Sequence, residues 1–260
     1  MPRLSAVPGL PPLLACLALL AAWELAARAF GINGLPPPWT ALRELPTIFA
    51  DGDTLPNIFA SLRRMVIGFA LAATFAIPLG LMMGRSALVA RFFNPLLMVI
   101  YPVPKAALMP IIMLWLGVGD VSKTLVIFLG VSLPIIYHSY QGARAVDDKM
   151  LWSAAAMGLR APARLVRVVF PAALPEIMVG CRTGLVLALI TMVTSEMIAR
   201  QTGVGNILFN ALDMAQYEAV YAMIVVIGVL GFGLDWGFEA VRRALMAWAE
   251  PSHQIAVGSA

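Results

Sequence analysis

Long uninterrupted apolar runs constrain this chain more than any other feature of its sequence. One of them, MVIGFALAATFAIPLGLMM at residues 65–83, contains no charged residue. A run of about 18 or more apolar residues can cross the hydrocarbon core of a bilayer as an α-helix. The composition agrees, because 61% of the 260 residues are hydrophobic and only 12% are charged, whereas soluble domains carry about 25%. We therefore predict an all-α, polytopic membrane protein.

The apolar runs predict about six transmembrane helices. Their approximate bounds are 10–29, 65–83, 95–116, 124–140, 176–196 and 220–234. Prolines and acidic residues between the first two runs indicate a loop. We divide the chain into three parts, which are a first transmembrane helix with a periplasmic loop at 1–60, a core at 61–246 and a tail at 247–260.

The first apolar run has a second interpretation. The sequence LLAC at residues 13–16 has the form of a lipoprotein cleavage box, and a cleaved signal peptide would look similar. Against cleavage, the preceding region carries a single charge, Arg3, and the apolar run continues past Cys16. We expect this helix to be retained. Cys16 and Cys181 both lie in apolar runs, so that no disulfide framework is predicted.

The positions of the basic residues predict the orientation, because cytoplasmic loops carry an excess of Lys and Arg. With both termini in the cytoplasm, more of these residues fall on the cytoplasmic side, although Arg63 and Arg64 on the outer side weaken the bias. The formal net charge is +4, and its arginines are scattered near the ends of the runs. This pattern is typical of anchoring at a membrane surface, and we predict no nucleic-acid partner.

A basic loop interrupts the apolar sequence at about 144–175. It contains SAAAMGLRAPARLVRVVFPAALP, whose three arginines and three prolines cannot cross a bilayer. Asp147 and Asp148 can cap a short helix, which Gly158 would end in a left-handed conformation. Pro171 and Pro175 then indicate the return to the membrane. Such a helix is a good docking surface, and an ordinary solvated loop is the alternative.

The loop resembles the cytoplasmic signature loop of ATP-binding-cassette (ABC) importer permeases. The matching positions are Gly158, then nine residues, Val168, one residue, and Phe170 followed by Pro171. The resemblance implies that the helix before Gly158 is a coupling helix, which lies in a groove of the ATPase subunit. The family begins this loop with Glu-Ala-Ala, and the corresponding residues here are Trp152, Ser153 and Ala154. The acidic residue is missing, so aromatic packing would replace one polar contact.

Other segments resemble the nitrate, sulfonate and taurine group of these permeases. They are PLGLMMGRS, the stretch at 94–136 and TSEMIARQTGVGNIL. The resemblance implies a type I ABC importer permease fold in the bacterial inner membrane, and import of a small anion such as a sulfonate, taurine or nitrate. It also implies a permease homodimer, two copies of an ATPase subunit that bind ATP, and a periplasmic substrate-binding protein. A vitamin precursor or another small organic solute is the alternative cargo.

Ionisable residues within the predicted spans are candidates for a translocation path. A charged side chain such as Lys105 would cost roughly 3 kcal/mol in hydrocarbon, so it should face protein or water. It could line an anion path, form an ion pair or extend to the membrane surface, and Glu196 could be its partner or a gate residue. Pro104, with Pro102 and Pro110, must interrupt the backbone hydrogen bonds of the third span, as the walls of cavities do.

Two other classes of function fit the sequence less well. A secondary transporter would need more charged or sodium-coordinating groups in its spans. A membrane enzyme would need clustered acids, histidines or a nucleophile with its base. The sequence has no Gly-Lys-Ser/Thr phosphate loop, and His138 and His253 have no second ligand at metal spacing. We therefore predict a transport subunit without an ATPase site, a metal or a cofactor of its own.

The first testable prediction concerns topology. We expect cysteines placed at residues 144–169 to be cytoplasmic and those at 33–56 to be periplasmic, because the basic residues favour that orientation. An impermeant thiol reagent applied to intact cells should label only the second set. Labelling of the 144–169 loop from outside would contradict both the orientation and the docking role of the loop.

Overall fold

A computed structural model describes residues 10–32, 34–246 and 248, with side chains from residue 14 onward. Within these residues the regular structure is entirely helical. The α-helices are α1 (Leu10–Phe30), α2 (Pro38–Ala50), α3 (Thr54–Arg85), α4 (Ala87–Ile100), α5 (Met109–Leu116), α6 (Asp120–Ala145), α7 (Asp148–Ala156), α8 (Ala161–Arg164), α9 (Phe170–Ala199), α10 (Val204–Asp213) and α11 (Tyr217–Leu245). A short 3-10 helix (Lys105–Leu108) precedes α5, and a π-helical turn (Leu165–Val169) joins α8 to α9.

Four helical segments of the described chain are long and apolar enough to cross a membrane. They are Thr54–Arg85, Asp120–Ala145, Ala161–Ala199 and Tyr217–Leu245, and α4 with Lys105–Leu116 makes a fifth if the bent pair is one span. The first predicted span is helical as α1. The all-α membrane class is therefore confirmed. The interruption predicted from the prolines of the third span is confirmed, because the chain bends by 82° between α4 and Lys105–Leu116. The predicted start at residue 95 is too late, since α4 begins at Ala87.

Helix α6 lies between α3 and α9, and glycines permit both contacts. A Cβ atom at Gly80 or at Gly84 of α3 would lie 2.5 Å from a Cβ atom of α6. A Cβ atom at Gly180 of α9 would lie 2.6 Å from the Cβ of His138 on the other side of α6. These distances are far below van der Waals contact, so only glycine fits. Gly80 and Gly84, four residues apart, thus have the small-xxx-small spacing that lets membrane helices approach closely.

Several predicted boundaries differ from the structure. The fifth span, predicted at 176–196, belongs to a helical segment that already begins at Ala161. Pro162 and Pro171 lie in first turns, where a missing amide hydrogen costs little, and Pro175 lies inside α9. The predicted division between residues 60 and 61 falls within α3. The predicted tail at 247–260 lies outside the described residues, apart from Trp248.

The polar connections lie at two opposite ends of the bundle. The beginnings of α3 and α6 meet the end of α9 at one end, where Arg64 contacts Asp120 and Glu196. The ends of α3 and α6 meet α7 at the other, where Arg85 pairs with Asp148. We call these the outer and the inner end. The loops at 33–56 and 144–169 therefore lie at opposite ends, as the predicted topology requires.

Candidate functional site

The inner end carries the short helix α7, as predicted from its capping residues. The Asp147 carboxylate accepts a hydrogen bond from the Lys149 amide at 2.9 Å. At the other end, Gly158 has φ +85°, and its amide donates to the Ala155 carbonyl at 2.9 Å. The predicted helix and its left-handed termination are both confirmed.

Helix α7 presents an exposed apolar face. Leu151 and Ala154 are buried against the bundle, whereas Trp152 is 68% exposed and Met157 is 75% exposed. Ser153 is also exposed, and its hydroxyl donates to the Lys149 carbonyl. Large aromatic side chains that point away from a domain frequently anchor protein contacts. Of the predicted coupling residues on α7, Trp152 and Ser153 therefore face away from the bundle, whereas Ala154 packs against it.

Four contacts tie α7 and its loop to the bundle. Arg85 at the end of α3 pairs with Asp148 and donates to the Val146 carbonyl at 3.3 Å. Arg164 donates to the Leu151 carbonyl at 3.5 Å. Val169 is 1% exposed in the core, and the predicted coupling residues Val168 and Pro171 are half-buried beside it. These contacts connect α7 to α3 through the ion pair, to α6 through the chain and to α9 through the packed π-helical turn.

The bend after α4 contains Pro104 and Lys105, two predicted path residues. Pro104 has no amide hydrogen, so the Ile100 carbonyl cannot receive the helical bond that residue 104 would make. The Lys105 ammonium group donates to the Ile100 and Val103 carbonyls, each at 2.5 Å. Lys105 thus caps carbonyl groups at the bend and does not pair with Glu196. Pro104 itself precedes the 3-10 helix in an extended conformation.

The outer end contains a buried charge cluster that the sequence analysis missed. The guanidinium of Arg64, with 3% of the side chain exposed, donates to Glu196 at 2.7 Å and to Asp120 at 2.6 Å. Ser61 donates to both Glu196 oxygens at 2.8 Å, and the Gly205 amide donates to the same carboxylate at 3.1 Å. Glu196 is completely buried, and these hydrogen bonds fix the position of its carboxylate. These contacts join α3, α6, α9 and α10, which is the geometry of a structural clamp.

Lys123 extends this cluster to the loop after α9. It is 1% exposed, and its ammonium group donates to the Thr202 carbonyl at 3.0 Å. Arg64 donates to the same carbonyl at 3.2 Å. The predicted spans 65–83 and 124–140 leave Arg64 and Lys123 just outside, whereas α3 and α6 begin earlier, at Thr54 and Asp120, and include both residues. The continuing helical pattern of TLPNIFASL before Arg63 is the signal that would have located Arg64 within α3.

Two further polar pairs connect the long helices. Arg182 of α9 forms two hydrogen bonds with Asp235 of α11 at 2.7 and 2.8 Å. His138 of α6 lies 2.7 Å from a Glu176 oxygen of α9.

No group of three or more His, Cys, Asp or Glu side chains within the described residues could hold a metal ion.

Comparison with known proteins agrees with this arrangement. Residues 76–246 match the family described as binding-protein-dependent transport system inner membrane component. The taurine transport system permease protein TauC of Escherichia coli is 33% identical over 237 residues, which cover 88% of this chain and 86% of that protein. The nitrate import permease protein NrtB of Synechocystis is 29% identical over 248 residues, which cover 92% of this chain and 90% of that protein.

A solved structure shows the same fold. It is the MetNI methionine ABC transporter in an inward-facing conformation, with a TM-score of 0.66 over 74% of this chain and 95% of that chain. The sequences are only 14% identical, so this likeness concerns the fold alone. It confirms the predicted importer permease fold.

The second testable prediction concerns the clamp at the outer end. We expect Arg64→Met to lower the melting temperature of the detergent-solubilised protein strongly, because removing one partner of a buried ion pair costs about 3–5 kcal/mol. Arg64→Lys should be intermediate, since an ammonium group cannot reproduce the planar fork.

Arg63→Met is the matched control. Its guanidinium pairs with the same Asp120, but 63% of the side chain is exposed, and such pairs contribute about 0–1 kcal/mol. Thermal unfolding followed by tryptophan fluorescence measures all three variants. Equal melting temperatures for Arg63→Met and Arg64→Met would contradict a clamp function.

Proposed function

The chain belongs to the family of binding-protein-dependent transport system inner membrane components, and we propose that it carries a small anion into the cytoplasm. The substrate class rests on the names of its relatives, which include taurine, aliphatic sulfonate and nitrate permeases. The observation that carries the coupling part of the proposal is the exposed apolar face of α7, anchored to the bundle by the Arg85–Asp148 pair.

The partners follow from this role. In our proposal two of these chains form a dimer, which binds two copies of an ATPase subunit at the inner end and a periplasmic substrate-binding protein at the outer end. ATP is bound and hydrolysed by the ATPase subunit. The chain then lies in the bacterial inner membrane with both termini in the cytoplasm, since this orientation places α7 on the side where ATP is available.

In this proposal α7 transmits the movement of the ATPase subunit to the membrane helices. Trp152 and Met157 would dock into an apolar groove of the ATPase subunit, because both side chains are exposed and face away from the bundle. When the two ATPase subunits close on ATP, α7 moves with its groove. The Arg85–Asp148 pair and the contact of Arg164 with Leu151 transmit that displacement to α3 and α9.

The bend after α4 is the part of the chain that we propose lies along the path. Non-helical backbone at membrane depth is stable only against protein or a water-filled cavity. Lys105 supports the bend, because its ammonium group donates hydrogen bonds to backbone carbonyl groups there. Its charge therefore lies at the bend. Glu196 belongs to the clamp rather than to the path, because its carboxylate is completely buried and fully hydrogen-bonded.

Proteoliposomes containing the chain and its ATPase subunit test the proposed function directly. With the binding protein outside and ATP inside, they should accumulate an alkanesulfonate, taurine or nitrate. Uptake without ATP, driven by an ion gradient, would contradict the importer and favour a secondary transporter.

The third prediction concerns Lys105. We expect Lys105→Met to lower uptake several-fold while the complex still assembles and hydrolyses ATP at its basal rate, because the bend loses its cap and the path loses a charge. Lys105→Arg keeps a cationic donor and should retain most of the uptake. Arg243→Met, which removes an exposed charge at the end of α11, is the control and should behave as wild type. Loss of the assembled complex in Lys105→Met would contradict a function in the path.

The fourth prediction concerns α7. Gly158→Val should lose most of the bound ATPase subunit, because a side chain opposes the left-handed conformation by roughly 1 kcal/mol or more and so deforms the end of α7. Open space surrounds this glycine, so the effect comes from the backbone alone. Trp152→Ala should weaken the contact more mildly. Pull-down of the ATPase subunit and substrate-stimulated ATP hydrolysis measure both variants.

Matched controls exist at the outer end. Gly31 has φ +57° and is also surrounded by open space, so Gly31→Val introduces a similar strain far from α7. Trp39 is 57% exposed on α2, so Trp39→Ala removes a similar aromatic surface. Both controls should retain the ATPase subunit. If Gly158→Val and Trp152→Ala also retain it, α7 is only a linker.

A further inference from the structure

A cleft separates α4 from α6 over the inner half of the bundle. Two adjoining cavities of about 540 and 780 Å³ form it, and both are lined by Met83, Asn94, Tyr140 and Arg144. The first reaches Asp148 at the beginning of α7, and the second reaches Tyr101 at the bend. The cleft therefore connects the coupling helix to the bend along one continuous surface.

The inner part of this cleft is positively charged. Its lining contains Arg85, Arg91 and Arg144, with Asp148 as the one acidic residue among the lining side chains described. Arg85 pairs with that aspartate. Arg144 instead donates to the neutral Tyr140 hydroxyl at 3.1 Å, and it forms no ion pair with a carboxylate among the described residues. Walls of low dielectric concentrate such a potential and attract anions.

Neutral hydrogen-bond donors continue the lining toward the bend. Tyr140 accepts a bond from Arg144, and Tyr137 accepts one from Gln141 at 3.2 Å. Because each hydroxyl oxygen acts as the acceptor in these bonds, its hydrogen remains available to a ligand. Asn94 adds a side-chain amide, whereas the Thr183 hydroxyl already donates to the Val179 carbonyl at 3.1 Å. An oxyanion with several acceptor oxygens would thus find one cation and several donors within the same cavity.

We propose that this cleft is a binding site for a small oxyanion, with Arg144 as its charged ligand and the hydroxyl groups of Tyr137 and Tyr140 beside it. The proposal rests on the proposed function and specifies where the anion lies before it leaves toward the cytoplasm. The larger cavity falls within the 300–1,000 Å³ that is usual for small-molecule sites. A free sulfonate or nitrate and a lipid phosphate share this chemistry, and the free anion is the ligand we assign.

The potential of the cleft can be measured without any transport. Asn94→Cys, in a chain with Cys16→Ser and Cys181→Ala, places a thiol in the cleft. Two methanethiosulfonates of similar size, one carrying a sulfonate and one a quaternary ammonium group, are reacted with the complex in neutral-lipid nanodiscs. After normalisation to a small free thiol, we expect the sulfonate reagent to react faster.

Arg144→Gln should lower the ratio of the two rates roughly tenfold, because one charge at about 7 Å in water changes each rate about threefold in opposite directions. Arg144→Lys should restore the ratio, and Arg91→Gln should lower it to a smaller extent. Arg243→Gln removes an exposed charge that does not line either cavity and should leave the ratio unchanged. Equal rate ratios in Arg144→Gln and the parent would overturn the proposal. Loss of the preference for the sulfonate reagent when anionic lipid is added would also overturn it, because a lipid phosphate would then occupy the cleft.

Uptake separates this inference from the proposed function. If Arg144→Gln lowers alkanesulfonate uptake several-fold while the ATPase subunit remains bound, the cleft is part of the path. If wild-type vesicles import no anion although the rate ratio behaves as expected, the proposed function fails and the anion site stands. If uptake is normal in Arg144→Gln, the cleft is not used in transport and the proposal fails alone.

Discussion

The close approach of α6 to α3 and to α9 is the contact on which the other features of this chain depend. Within a bilayer the hydrophobic effect does not drive helices together, so association relies on van der Waals packing over backbones that can come near. Gly80 and Gly84 permit this on one side of α6, and Gly180 permits it on the other. Helix α6 leads into α7 at its inner end and carries Asp120 and Lys123 at its outer end. Its position therefore determines where both α7 and the buried charge cluster lie.

The clamp at the outer end joins the same three helices that the glycine contacts bring close together. A buried carboxylate is tolerable only when every acceptor site is satisfied, and Glu196 receives bonds from Arg64, Ser61 and the Gly205 amide. A Cβ atom at Gly205 would lie 2.9 Å from the Cβ of Glu196, so the glycine is needed for the close fit. The clamp therefore depends on backbone shape as much as on charge, and it holds α10 against the ends of α3 and α9.

The sequence predicted local features better than tertiary ones. Apolar runs identified the membrane class, and Asp147 and Gly158 identified both ends of α7, because capping depends on neighbouring residues. Charge partners could not be identified in this way. Arg64 and Glu196 are far apart in the chain, and no local pattern shows that α3 and α9 bring them to 2.7 Å. For the same reason the sequence left several roles open for Lys105, among them an ion pair with Glu196, whereas its partners are carbonyl groups within five residues.

The unequal burial of the helices indicates which part of the chain can move. Helix α4 has no buried side chain, and Leu88, Phe92 and Val99 are all more than half exposed, whereas α6 is lined with buried residues from Ser122 to Ala143. A displacement of α4 therefore breaks much less packing than a displacement of α6. The proline-rich bend gives α4 a break at one end, and Ser86 separates it from α3 at the other. Because α3, α6 and α9 pack closely on one another and α7 is joined to them, a displacement of these helices relative to α4 would change the cleft.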